Sequence, residues 1–186
     1  MNSASEKFYV FIHSALDEKE RTQLFQFIWE NYGKKIYFYI SGILPLNHPY
    51  KDDLFQEIMI KIYKNLHTFN PVYPLRPWIY KITKNHCLNF IKSKKEKIHS
   101  SKEFEYDTIK DTDNPEKQFF RDAAAAEIDK FTKALNPTDR EIFYLRFYES
   151  LKYKHIGEIM DMNINTVKSR VHLMKLELKN KVRGGQ

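Results

Sequence analysis

The residues best equipped for chemistry lie near the C-terminus: Asn165, Thr166, Lys168, Ser169, Arg170, His172 and Leu173, within KYKHIGEIMDMNINTVKSRVHLMK at residues 152–175. Amide, hydroxyl, imidazole and cationic groups at this density match the donors and acceptors of base edges and the charge of phosphates. If one helix carries them, its other side holds Val167, Val171 and Met174, spaced three or four residues apart. Just upstream, Ile156, Ile159, Met160 and Met162 make a second short apolar stripe. The two stripes meet near Asp161, a residue type that tolerates left-handed backbone. Gly157 falls where two such helices would approach closely, and Asn163 is placed to cap the second. The pattern is a helix-turn-helix. A plain amphipathic hairpin with a solvated polar face shares it, so the rest of the chain has to discriminate.

Other chemistries find little support. The 7 histidines show no metal-ligand spacing with Cys87, the 1 cysteine, and no glycine-rich phosphate loop or Ser/His/Asp set is positioned by motif. A non-enzymatic chain with no metal and no cofactor is expected, and His86 reads as a core histidine. A single cysteine allows no intramolecular disulfide. No apolar run approaches the length of a membrane span and no signal peptide precedes the first helix, so a cytoplasmic protein without membrane insertion is expected.

The elements that must position these groups read as all-α. Over 186 residues there are 5 Gly and 7 Pro, and long stretches follow a period near 3.6. The length suits one medium domain or two small ones. A net charge of +7 favours a polyanionic partner. The charge is concentrated in two basic blocks that flank an acidic stretch, Glu103–Glu116.

After a lead-in over 1–21, a first helix is expected over Thr22–Ser41, with Phe25, Ile28, Trp29, Tyr32, Ile36 and Ile40 on its core side. KDDLFQEIMIKIYKNLHTF then opens on two aspartates suited to a helix N-terminus and puts Leu54, Ile58, Ile62 and Leu66 on one face. Asp53, Gln56 and Glu57 lie off that stripe. Pro71, Pro74 and Pro77 interrupt any helix in the following loop. Next comes a basic helix, RPWIYKITKNHCLNFIKSKKEK, with Ile79, Ile82, His86 and Phe90 inward. Its lysines, interleaved with Trp78 and Tyr80, suit a sugar-phosphate backbone and exposed bases. Ser93–Pro115 reads as a flexible linker. Helical period returns with Phe120, Ala124, Ile128, Phe131 and Leu135, and Thr138 with Glu141 makes a capping box.

The order DDLFQE, an apolar helix, a loop, WIYKITKN, a lysine-rich end, a linker and LNPTDREIFYLRFYESLKYKHIGEIMDMNINTVKSR resembles the extracytoplasmic-function sigma factors of bacterial RNA polymerase. The resemblance covers residues 22–182. It implies two small helical domains joined by a flexible linker, the second containing the helix-turn-helix. Residues 22–97 would bind core RNA polymerase and the minus-ten element, 98–114 would form the linker, and 115–186 would bind the minus-thirty-five element. Asp53, Gln56 and Glu57 fall on the family's polymerase-docking motif. Arg76, Trp78, Ile79 and Ile82 match its RxWLxxI pattern, with Trp78 and the isoleucines as core. Thr68, Phe69, Asn70, Tyr73, Lys81, Lys84, Asn85, Asn89 and Lys92 fall where the family contacts minus-ten DNA and holds a flipped base. Asn165, Thr166, Lys168, Ser169, Arg170, His172 and Leu173 fall on its recognition helix. Asn89, Lys92 and Leu173 depart from the Asp, Arg and Arg common there. The resemblance also implies promoter DNA and an anti-sigma factor as partners, and a linker that occupies the path of nascent RNA. Two alternatives stand beside it: a free-standing regulator that binds an operator as a dimer, and a non-DNA adaptor that retains only the polymerase surface.

Overall fold

The computed structural model describes residues 18–44, 48–70, 72–95 and 127–184, and every element among them is helical. The expected linker at 98–114, the residues before 18 and the stretch 115–126 with Phe120 and Ala124 lie outside the described residues. Chain contacts divide the protein into two compact units.

The first unit is built on α1 (Glu18–Ile43), α2 (Lys51–Asn65) and α3 (Leu75–Lys95), with a 3-10 turn, Leu66–Thr68, after α2. Leu24, Ile28, Tyr32 and Ile36 recur every four residues along α1 and are buried. Leu54, Ile58, Met59 and Ile62 of α2 and Leu75, Ile79 and Cys87 of α3 are buried as well. Asp52 and Asp53 in the first turn of α2 and Lys64 in its last complement the helix dipole.

Three expectations change here. Helix α1 already includes Glu18, four residues before Thr22, and Thr22 Oγ1 donates to the Glu18 carbonyl at 2.9 Å within it. Pro77 does not interrupt α3 but sits buried in its first turn, where a missing N–H costs nothing. Tyr80 is no stacking platform for bases: it is fully buried, edge-on to Tyr39 with ring centres 5.0 Å apart.

The second unit holds a helical stretch at 127–134 (α4), then α5 (Pro137–Phe143), α6 (Tyr153–Met160) and α7 (Ile164–Gly184). Helix α5 continues into a π-helical turn, Tyr144–Tyr148, in which the Glu149 N–H donates to the Tyr144 carbonyl at 3.1 Å. The cap of α5 is Asn136, not Thr138. Asn136 Oδ1 accepts from the Asp139 N–H at 3.0 Å, and Pro137 takes the first helical position. Arg140, buried on the same helix, closes the end of α4 by donating to the carbonyls of Thr132, Lys133 and Leu135 at 2.9, 2.8 and 2.9 Å. Phe131, Ile142, Leu145, Ile156, Ile159, Val167, Val171 and Met174 form the core beneath α6 and α7.

Candidate nucleic-acid interface

The turn between α6 and α7 fixes how α7 is presented. Asp161 takes φ 54° and ψ 44°, the left-handed conformation in which an aspartate is tolerated. The Asp161 and Met162 N–H groups both donate to the Gly157 carbonyl, the latter at 2.9 Å, ending α6. A Cβ on Gly157 would lie 2.8 Å from the Met162 carbonyl oxygen and 3.8 Å from the Ile164 nitrogen, so only glycine permits this approach. Asn163 Oδ1 then accepts from the Asn165 N–H at 2.8 Å at the start of α7.

With Val167, Val171 and Met174 buried, the opposite side of α7 is set. Asn165, Thr166, Lys168, Ser169, His172 and Leu173 are all exposed, Leu173 to 63%. At 1.5 Å per residue, the 21 residues of α7 run for about 30 Å, ample for a helix lying in a major groove. Arg170 differs from its neighbours. Its Nη1 donates to Asp139 Oδ1 of α5 at 2.7 Å, and its side chain is 37% exposed.

In the first unit the expected minus-ten residues divide. Asn85, Asn89 and Lys92 are exposed on α3 and Lys81 is half-buried, while Lys84 is only 7% exposed. In the loop before α3, Asn70 Oδ1 accepts from the Val72 N–H at 3.0 Å, a side-chain turn that leaves Val72 and Tyr73 projecting at 83% and 61% exposure. Thr68 is exposed but donates to the Asn65 carbonyl at 2.7 Å, extending the end of α2. Phe69 packs edge-on to Trp78, ring centres 5.0 Å apart, and is buried. Phe69 therefore anchors the loop from below, because a large aromatic next to the core gains more from burial than from display.

On α2, Asp53, Gln56 and Glu57 are exposed as expected. Glu57 is also held: its Oε2 lies 2.8 Å from His86 Nε2 on α3. His86, expected in the core, is thus a half-buried partner of an acid whose place in the fold the local pattern does not disclose. Beside this face, Trp29 is half exposed, contrary to the core reading of α1. Together with Gly33, Tyr37, Phe38 and Phe55 it lines an apolar surface cavity of about 370 Å³. Tyr37 donates to Asp52 Oδ1 at 2.8 Å; burial first, then that bond and the Asp52 charge, push its phenol above 10.0 and keep it a donor. No cluster of His, Cys, Asp or Glu among the described residues could hold a metal, and no helix there is long and apolar enough to cross a membrane.

Comparison with known proteins matches both units. The family model of sigma-70 region 2 covers residues 28–97, and that of sigma-70 region 4 covers residues 125–178. Among characterised relatives, RNA polymerase sigma factor SigZ of Bacillus subtilis is 27% identical over 157 residues, 84% of this chain and 86% of that protein. The ECF sigma factor SigE of Mycolicibacterium smegmatis is 25% identical over 130 residues, and the match spans 69% of this chain but only 50% of that protein. In fold, the chain is similar to the sigma factor RpoE of Bartonella quintana, solved with the anti-sigma factor NepR, at a TM-score of 0.62 and 17% identity over 86% of this chain and 96% of that one. An α2 with three acids in its first half, a basic α3 and a helix-turn-helix, in that order and with both family regions matched, lead to one conclusion: this chain belongs to the sigma-70 family of RNA polymerase sigma factors, in its extracytoplasmic-function branch.

Proposed function

We propose that the chain is an alternative sigma factor, a cytoplasmic non-enzymatic protein that binds core RNA polymerase and directs promoter-specific initiation. One observation carries the reading: regions 2 and 4 of the sigma-70 family lie on one chain in the order required for a two-element promoter. Asp53, Gln56 and Glu57 on α2 dock on the polymerase. Asn70, Tyr73, Lys81, Asn85, Asn89 and Lys92 engage the minus-ten strand. Asn165, Thr166, Lys168, Ser169, His172 and Leu173 read the minus-thirty-five duplex. Residues 22–97 and 115–186 are the two working domains, joined by 98–114. An anti-sigma factor is the expected regulator, as the structural relative RpoE was solved with the anti-sigma factor NepR and CnrH with the cytosolic domain of CnrY.

Run-off transcription of fragmented genomic DNA, with core polymerase and with or without this protein, tests the reading. Discrete transcripts that depend on the protein support it. Tight duplex binding by the protein alone, with no stimulation of polymerase, would instead establish an operator-binding regulator, a reading that leaves the acidic face of α2 without a task.

A further inference from the structure

Arg170 stands apart from the other polar residues of α7 in what it touches. Successive helical residues turn by about 100°, which places Arg170 on the flank of the buried stripe and a full step round from Ser169. From that flank its guanidinium reaches α5, 31 residues away in sequence, and meets Asp139 Oδ1 at 2.7 Å. Asp139 is itself fixed. Its Oδ2 accepts from Asn136 Nδ2 at 2.6 Å, its own N–H donates to Asn136 Oδ1 at 3.0 Å, and its side chain is only 18% exposed. The carboxylate also sits in the first turn of α5, where the helix dipole favours negative charge. A cation anchored to so constrained an acid is held against α5.

We propose that Arg170 is a positioning residue, a strut between α5 and α7 that sets the rotation of the recognition helix, and that it is not a phosphate contact. The inference rests on the promoter-binding reading above. Removing the strut frees α7 to turn about its buried valines, which misplaces Lys168, Ser169 and His172 together. Sequence alone assigns Arg170 to DNA because it closes TVKSR, directly after Lys168 and Ser169, which do face outward.

The test compares R170Q, D139N, the double variant and K168Q in the full chain, with core polymerase and a promoter fragment found by run-off transcription. Binding is measured across a salt series. A strut predicts that R170Q and D139N each lower affinity roughly tenfold at every salt concentration, with the salt slope unchanged. The double variant should be no worse than either single one, since one interaction is lost in all three. K168Q, which removes a phosphate contact, should make the slope shallower by about one unit. A slope change of that size in R170Q, with D139N binding like wild type, would overturn the proposal. Hydrogen exchange of α5 and α7 gives a second readout that needs no promoter. R170Q and D139N should lose protection in both helices together, and loss in neither refutes the strut even if the wild-type chain proves to bind no promoter.

Discussion

The same substitution, glycine to alanine, should act with opposite sign at two helical positions. Alanine is favoured over glycine inside a helix by about 1 kcal/mol. At Gly157 that gain meets an obstacle. The new Cβ would stand 2.8 Å from the Met162 carbonyl oxygen, where contacts shorter than 3.0 Å essentially never occur, and the obstructing atom is backbone that cannot rotate aside. Moving the Asp161–Asn163 turn disturbs two hydrogen bonds to the Gly157 carbonyl, and forced overpacking of this kind costs about 1–3 kcal/mol. The net expectation for G157A is a loss of up to about 2 kcal/mol in the second unit. At Gly33, buried in the middle of α1, the nearest atom to a new Cβ is Phe55 Cζ at 4.0 Å, an ordinary contact. G33A should therefore gain about 0.5–1 kcal/mol in the first unit. Trp29 and Trp78, the 2 tryptophans, both belong to the first unit, so their fluorescence in urea reports G33A. Peptide-resolved hydrogen exchange over residues 153–175 reports G157A, where protection should fall about tenfold. If both variants shift stability in the same direction, close approach is not what keeps glycine at 157.

Charge reversal at Asp53 and Glu57 should weaken capture of core polymerase without altering the circular dichroism spectrum, since both side chains are exposed. H86A, which releases Glu57 from its 2.8 Å contact, should weaken capture less than the reversal does; equal capture by all variants would remove α2 from the interface. Leu173, exposed to 63% on the reading face, is expected to pack on a thymine methyl. Replacing thymines of the minus-thirty-five element one at a time by deoxyuridine should lower wild-type binding at one position and leave L173A indifferent there, and equal sensitivity in both proteins would place Leu173 elsewhere. N136A should cost the second unit about 1 kcal/mol in urea denaturation through loss of the α5 cap; an unchanged midpoint would mean that Thr138 can serve in its place.

Helix existence and the helix-turn-helix were legible because they rest on local periodicity. Val167, Val171 and Met174 declare their burial by spacing, and Gly157, Asp161 and Asn163 declare a turn by residue type. The seven residues of α7 singled out from sequence share one helix; six of them are exposed, while Arg170 bonds α5. What separates Arg170 is Asp139, and no local pattern joins residues 31 apart. The same limit hid the pairing of His86 with Glu57, 29 residues apart. Tyr80 departs from its sequence reading for a related reason. An aromatic beside lysines looks the same in sequence whether it stacks on bases or fills a core, and only the path of α1 over α3 decides it. The cap at Asn136 could have been found, because Asn-Pro-Thr-Asp combines a preferred cap, a proline at the first helical position and an acid in the first turn.

The π-turn at Tyr144–Tyr148 stores one residue more than an α-helical path between the same endpoints, since its closing bond runs from Glu149 back five positions instead of four. It acts as slack in the length of the chain. Most single-residue deletions in a helix would rotate everything beyond them by about 100° and strip the core of its register. A deletion inside this turn can be absorbed by tightening five residues to four, with α6 and α7 keeping their facing. The second unit can therefore change length by one here, and the recognition helix need not notice.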